Sequence, residues 1–175
     1  MKKAVLNGKI IVVMLIFCGL SANARTIIRN ESAPVPVCSG NQLSLKEVES
    51  EGSMGGHVIE NFVFTNISSS SCTLSGYPTF VLLDKAGKVM RGVKMIYTDG
   101  SEDSKPEVVT IKPKETAYFN IFYSTGFGYD LKKSPPSSAK IKITAPKTTK
   151  AFVLKGEISA YKEIQVSSIR SGLPS

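Results

Sequence analysis

The sequence predicts an all-β protein, a two-sheet antiparallel sandwich of about eight or nine short strands. Three observations predict it. Short runs of apolar, β-branched and aromatic residues recur along the chain. Glycine, proline, serine and acidic residues punctuate them with turn chemistry. No long stretch carries the period of an amphipathic helix, which argues against an α/β fold. A closed barrel is the alternative, because strand count alone does not separate the two.

Residues 1–24 read as an export signal. Lys2, Lys3 and Lys9 form a basic start, and Ile10 to Leu20 is an uncharged apolar run. Ala22-Asn23-Ala24 places small residues where a signal peptidase cuts, before Arg25. The run has about 11 residues against the roughly 20 that span a bilayer, which weighs against a retained anchor. A lipoprotein would need a small residue before Cys18, where Phe17 stands. Cleavage leaves 19 basic and 14 acidic residues, a formal charge of +5. That balance suits a solubilising surface; an anionic envelope surface or an acidic partner is the alternative. The remaining length suits one domain with a real core.

Residues 25–37 form a polar, proline-containing flexible lead-in. Leu43 to Glu49 is a first strand or a short helical turn, and Glu51 to Gly56 is a turn. Val58 to Asn66 is a strand with Phe62 and Phe64 on one face. The serine run Ser68–Ser71 loops to a strand that starts at Cys72 and breaks at Pro78. Thr79 to Leu83 is apolar on both faces and reads as a covered central strand. Asp84 to Lys88 is a hairpin turn with Gly87 at its positive-φ position, and Val89 to Tyr97 is the returning strand. Thr98 to Pro106 is an exposed loop. Val108 to Ile111 is a strand, Lys112 to Glu115 a turn. In Thr116 to Tyr123, Ala117, Phe119, Ile121 and Tyr123 share one face, Tyr118 and Asn120 the other. Ser124 to Pro136 is a long loop. Ala139 to Ile143, Phe152 to Leu154 and Ile164 to Val166 are the last strands. The sandwich spans residues 38–168, and 169–175 is a frayed tail.

An exported chain with two remaining cysteines favours a Cys38–Cys72 disulfide. It closes a loop of about 35 residues, and chain entropy puts its contribution at about 3–4 kcal/mol.

Several residues together resemble the bacterial family catalogued as domain of unknown function 4232. They are Cys38 with Leu43, Thr65-Asn66 ending a strand, and Cys72, Leu74 and Gly76-Tyr77-Pro78. Leu82-Leu83-Asp84 with Gly87 follow, then Pro113-Lys114 and Ala117. The resemblance covers about Cys38 to Pro146. Two departures stand out. Many members carry a second cysteine pair, absent here, and the family's Pro-Gly turn is Pro113-Lys114. The resemblance implies an exported immunoglobulin-like sandwich and no established activity.

Chemistry is sparse. His57, beside the glycine turn, is the single histidine and lacks a sequence signature for a Ser-His-Asp site. A disulfide removes both cysteines from nucleophilic and zinc chemistry. Asp99, Glu102 and Asp103 do not match a calcium loop. Glu47, Glu49 and Glu51 would share a face in an extended strand, more in keeping with solvent than with glycoside hydrolysis. Gly126 to Tyr129 is no phosphate-cradling loop. Export argues against nucleic-acid binding by Tyr118, Phe122, Lys132 and Lys133. Tyr77-Pro78 marks a tight turn, cis or trans.

The expectation is therefore an exported, periplasmic or secreted, non-catalytic binding or protein-interaction module without cofactor, metal or stable membrane anchor. Its partner is an envelope protein or glycan, not nucleic acid. Phe127 and Tyr129, in a glycine-rich loop, are the candidate anchors. The alternatives are an inhibitor or accessory factor of an envelope enzyme, and a hydrolase with an unrecognised site.

Overall fold

The computed structural model describes residues 33–48, 55–101, 104–126 and 135–174. The expected signal segment lies outside them. After a 3-10 turn at Gly40–Gln42, the strands are β1 (Leu43–Val48), β2 (His57–Asn66), β3 (Cys72–Ser75), β4 (Thr79–Leu83), β5 (Lys94–Tyr97) and β6 (Val108–Ile111). There follow β7 (Thr116–Ser124), β8 (Lys140–Thr144), β9 (Ala151–Lys155), β10 (Glu163–Val166) and β11 (Arg170–Ser171). One sheet runs β1-β2-β7-β10-β5 with β11 also on β7. A second runs β4-β8-β9, and β3 pairs with β6. Every pair is antiparallel except β10 with β5, which is parallel.

The fold is all-β and layered. β7 alternates strictly, with Ala117, Phe119, Ile121 and Tyr123 buried. Period-2 alternation puts these residues on one face with Phe62 and Phe64 of β2. That face meets the β4-β8-β9 sheet. Phe62 stacks on Phe119 at 5.2 Å and meets Phe80 of β4 edge-on at 5.7 Å. Phe64 meets Phe152 of β9 at 5.9 Å. Ile141 and Ile143 of β8 are fully buried, while Lys140 and Lys142 between them are not.

β2 and β3, consecutive in the chain, do not pair; they belong to different sheets. Asn66 makes the corner. It is fully buried, yet its amide donates to the Ser70 and Ile111 carbonyls at 2.8 and 2.9 Å. Its Oδ1 accepts from the Ser68 backbone and hydroxyl at 2.9 and 2.7 Å. A buried amide must be satisfied to be tolerated, and these bonds tie β2 to β6 across the serine loop. The disulfide joins Cys38 to Cys72, Cα to Cα 4.7 Å, at the start of β3.

Three expectations change, and one alternative left open, the isomer at Pro78, is decided. The first concerns the hairpin, which forms at Asp84–Lys88: the Asp84 N–H donates to the Lys88 carbonyl at 2.9 Å, and Gly87 has φ 80°. The returning strand, however, does not run from Val89 to Tyr97. It breaks near Gly92, whose φ of 96° suits glycine, and the chain crosses to join β10 as β5. The second change follows from this. β4 is an edge of its sheet, with only an isolated bridge to Val89. Third, Tyr77-Pro78 is trans, since no cis bond occurs among the described residues.

Fourth, the chain end is not frayed from residue 169. Val166 pairs with Ile121 and Arg170 with Tyr118, so three residues of the last segment face two of β7. That extra residue is a β-bulge. Its N–H groups find partners, that of Ser168 in Asp99. The Ser167 N–H donates to the Asn120 carbonyl at 2.9 Å and the Ile169 N–H to the Gly76 carbonyl at 3.0 Å. Ser167, Ser168 and Ile169 are buried.

Candidate binding groove

Phe127 and Tyr129, the anchors expected from the sequence, lie outside the described residues, as do Glu49, Glu51, Glu102, Asp103, Lys132 and Lys133. Cys38 and Cys72 are brought together as expected. His57 is not a turn residue; it opens β2. Among the described residues no group of three His, Cys, Asp or Glu is placed to hold a metal ion.

Asp99 heads one polar cluster. Its Oδ2 accepts from the Tyr77 hydroxyl at 3.0 Å. Its Oδ1 accepts from the Ser168 N–H at 2.9 Å and from Arg170 Nη2 at 3.5 Å. Burial pushes the carboxyl up, but the Ser168, Tyr77 and Arg170 interactions outweigh it, and the net is below the ordinary value. A cavity of about 450 Å³ opens beside it, reached by Lys105, Glu107, Tyr118 and Arg170.

A second cavity, of about 440 Å³, lies further along β7, lined by His57, Phe122, Tyr161, Lys162, Glu163 and Gln165 among others. Register builds its floor. Ile59 pairs with Phe122, Phe122 with Gln165, and Gln165 with Ile96. One row thus crosses four strands. The neighbouring row, Tyr123 and Ile164, is buried against the core, so alternation turns Phe122 and Gln165 outward. His57, diagonal to Phe122, stacks on its ring at 5.2 Å and 12°. Among the described residues neither the Gln165 amide nor the Glu163 carboxylate is bonded to another side chain.

The rim is held in an unusual backbone. Lys162 has φ 68°, and the Glu163 N–H donates to the Tyr161 carbonyl at 2.9 Å. An i to i+2 bond around a positive φ is the rare, strained γ-turn. Tyr161 N–H to Ser124 carbonyl (2.7 Å) and Lys94 N–H to Lys162 carbonyl (2.8 Å) clamp it to β7 and β5. Lys162 Nζ lies 4.9 Å from the centre of the Tyr161 ring. Strain of this kind persists where surrounding structure enforces it, and it concentrates at functional sites.

Below the groove, the Tyr123 hydroxyl donates to Glu60 Oε1 at 2.6 Å. Burial raises the Glu60 carboxyl, the Tyr123 bond opposes, and the charge of Glu47 adds to the rise. Burial and the Glu60 bond hold the Tyr123 phenol well above its usual value. The pair keeps the hydroxyl of buried Tyr123 and the partly buried Glu60 carboxyl satisfied at the end of the core.

Sequence reasoning placed Phe119 and Tyr123 on the inner face of β7 and so left Phe122 on the outer. The further signal was Gln165 between buried Ile164 and Val166. Neither residue names its neighbours without the strand order.

The family model described as Domain of unknown function (DUF4232) matches residues 38–171. This is the family the sequence resembles, and the match runs beyond Pro146 to include β9, β10 and β11. No curated protein and no solved structure matches the chain.

Proposed function

The chain belongs to the family of domain of unknown function 4232, whose description carries no activity, and we propose from its geometry that it is a non-catalytic binding module of the cell envelope. The groove over Phe122 and Gln165 is its contact surface. The observation that carries this reading is a concave site with stacked rings, a strained rim, and the Gln165 amide and Glu163 carboxylate bonded to no other side chain among the described residues. Export is supported by the basic and apolar start of the sequence and by the disulfide.

Co-sedimentation of the oxidised protein with washed bacterial envelopes tests it. Wild type is expected to sediment with them. Phe122→Ala and Gln165→Ala, equally folded, are expected to remain in the supernatant. Equal sedimentation of all three would contradict the reading.

A further inference from the structure

We propose that the groove binds an uncharged saccharide, one pyranose ring lying against the Phe122–His57 pair with its hydroxyls meeting Gln165 and Glu163. The inference rests on the binding-module reading and names the ligand class.

Four features of the site select that class. Its lining includes Lys162 and Glu163, of opposite charge, beside the side chains of His57, Phe122, Tyr161 and Gln165. A ligand with net charge of either sign gains nothing from that balance and would desolvate the opposing group. The Gln165 amide and Glu163 carboxylate in the wall rule against a wholly apolar ligand, which would strip water from them without replacing it. Extended peptides commonly bind by adding a strand to a sheet edge. Here Phe122 and Gln165 lie on β7 and β10, each paired on both sides, so neither strand offers a free backbone ladder. Finally, the Phe122 and His57 rings give the site an apolar surface beside polar walls. A pyranose matches this: its C–H face is apolar, and each hydroxyl both donates and accepts. The cavity falls within the roughly 300–1,000 Å³ usual for small-molecule sites.

The test is a nuclear magnetic resonance titration of the isotope-labelled, oxidised protein with cellotetraose, chitotetraose and maltotetraose, each to about 10 mM, beyond the millimolar range of weak contacts. A trigalacturonate titration supplies the charged control. At least one neutral oligosaccharide is expected to shift His57, Phe122 and Gln165 saturably. Phe122→Ala should weaken that binding roughly tenfold or more. Gln165→Ala should weaken it less, and Val153→Ala on β9 of the other sheet should leave it unchanged. No saturable shift at the groove with any neutral probe, or tighter binding of trigalacturonate, overturns the saccharide inference. If the envelope sedimentation still depends on Phe122, the binding-module reading stands and only the ligand class is wrong. If both fail, the groove is not the binding surface.

Discussion

Two cavities of nearly equal size lie along β7, and they differ in what their polar groups do. Beside Tyr118, Asp99 has both oxygens engaged, and its partners come from two other stretches of chain, Tyr77 from one and Ser168 and Arg170 from the second. That cluster fastens the loop after β5 to the bulge between β10 and β11. Beside Phe122, no other side chain among the described residues engages the Gln165 amide or the Glu163 carboxylate, and a strained turn holds the rim. The contrast separates polar groups that build the fold from polar groups that the fold presents. Cavity volume does not make that distinction; the hydrogen-bond inventory does.

The largest test of the comparison uses two rings of one strand. Phe119 is fully buried between Phe62 and Phe64. Phe119→Ala is expected to lower the unfolding free energy by about 3–5 kcal/mol in urea titrations. Phe122→Ala, three residues on and facing outward, should change it by less than about 1 kcal/mol. A large loss from Phe122→Ala would make the groove part of the core.

The Asp99 cluster gives a pH signature. A carboxyl held below its unfolded value contributes stability that is fully present above the unfolded value. That stability is lost as pH falls through the folded one. Asp99→Asn should therefore be less stable than wild type at pH 7, and the gap should close in acid. A pH-independent gap in parallel unfolding curves would show that the charge does not carry the fastening.

The smallest effect concerns the turn where this chain departs from its family. Lys114 has φ 69° after Pro113, and the Glu115 N–H closes the turn on the Lys112 carbonyl at 3.0 Å. A lysine stands where the backbone favours glycine. Lys114→Gly is expected to raise stability by up to about 1 kcal/mol, a small rise in thermal midpoint. A fall would mean that the lysine side chain offsets the backbone strain.

The strands were legible where local alternation decides them. Ala117, Phe119, Ile121 and Tyr123 announce their face, and Ile141 and Ile143 between lysines announce theirs. The cysteine pair was legible from its count and from the basic and apolar start of the sequence. The groove was not, because it joins His57, Phe122 and Gln165 through the order β2-β7-β10, which no local pattern encodes. The chain end misled for a related reason. Residues 169–175 look like a solvated tail, but the Ile169 N–H bonds to the Gly76 carbonyl and Arg170 pairs with Tyr118, both far away in sequence. Val89 to Tyr97 has strand composition throughout, and only the positive φ at Gly92 shows that it changes sheets.

The most direct measurement is site-specific photocrosslinking in cells, with a photoreactive side chain placed at Gln165 in the groove or at exposed Val153 on the opposite sheet. The account predicts an envelope-derived adduct from position 165 and none from 153. An adduct from 153 alone, or from neither position, would contradict it.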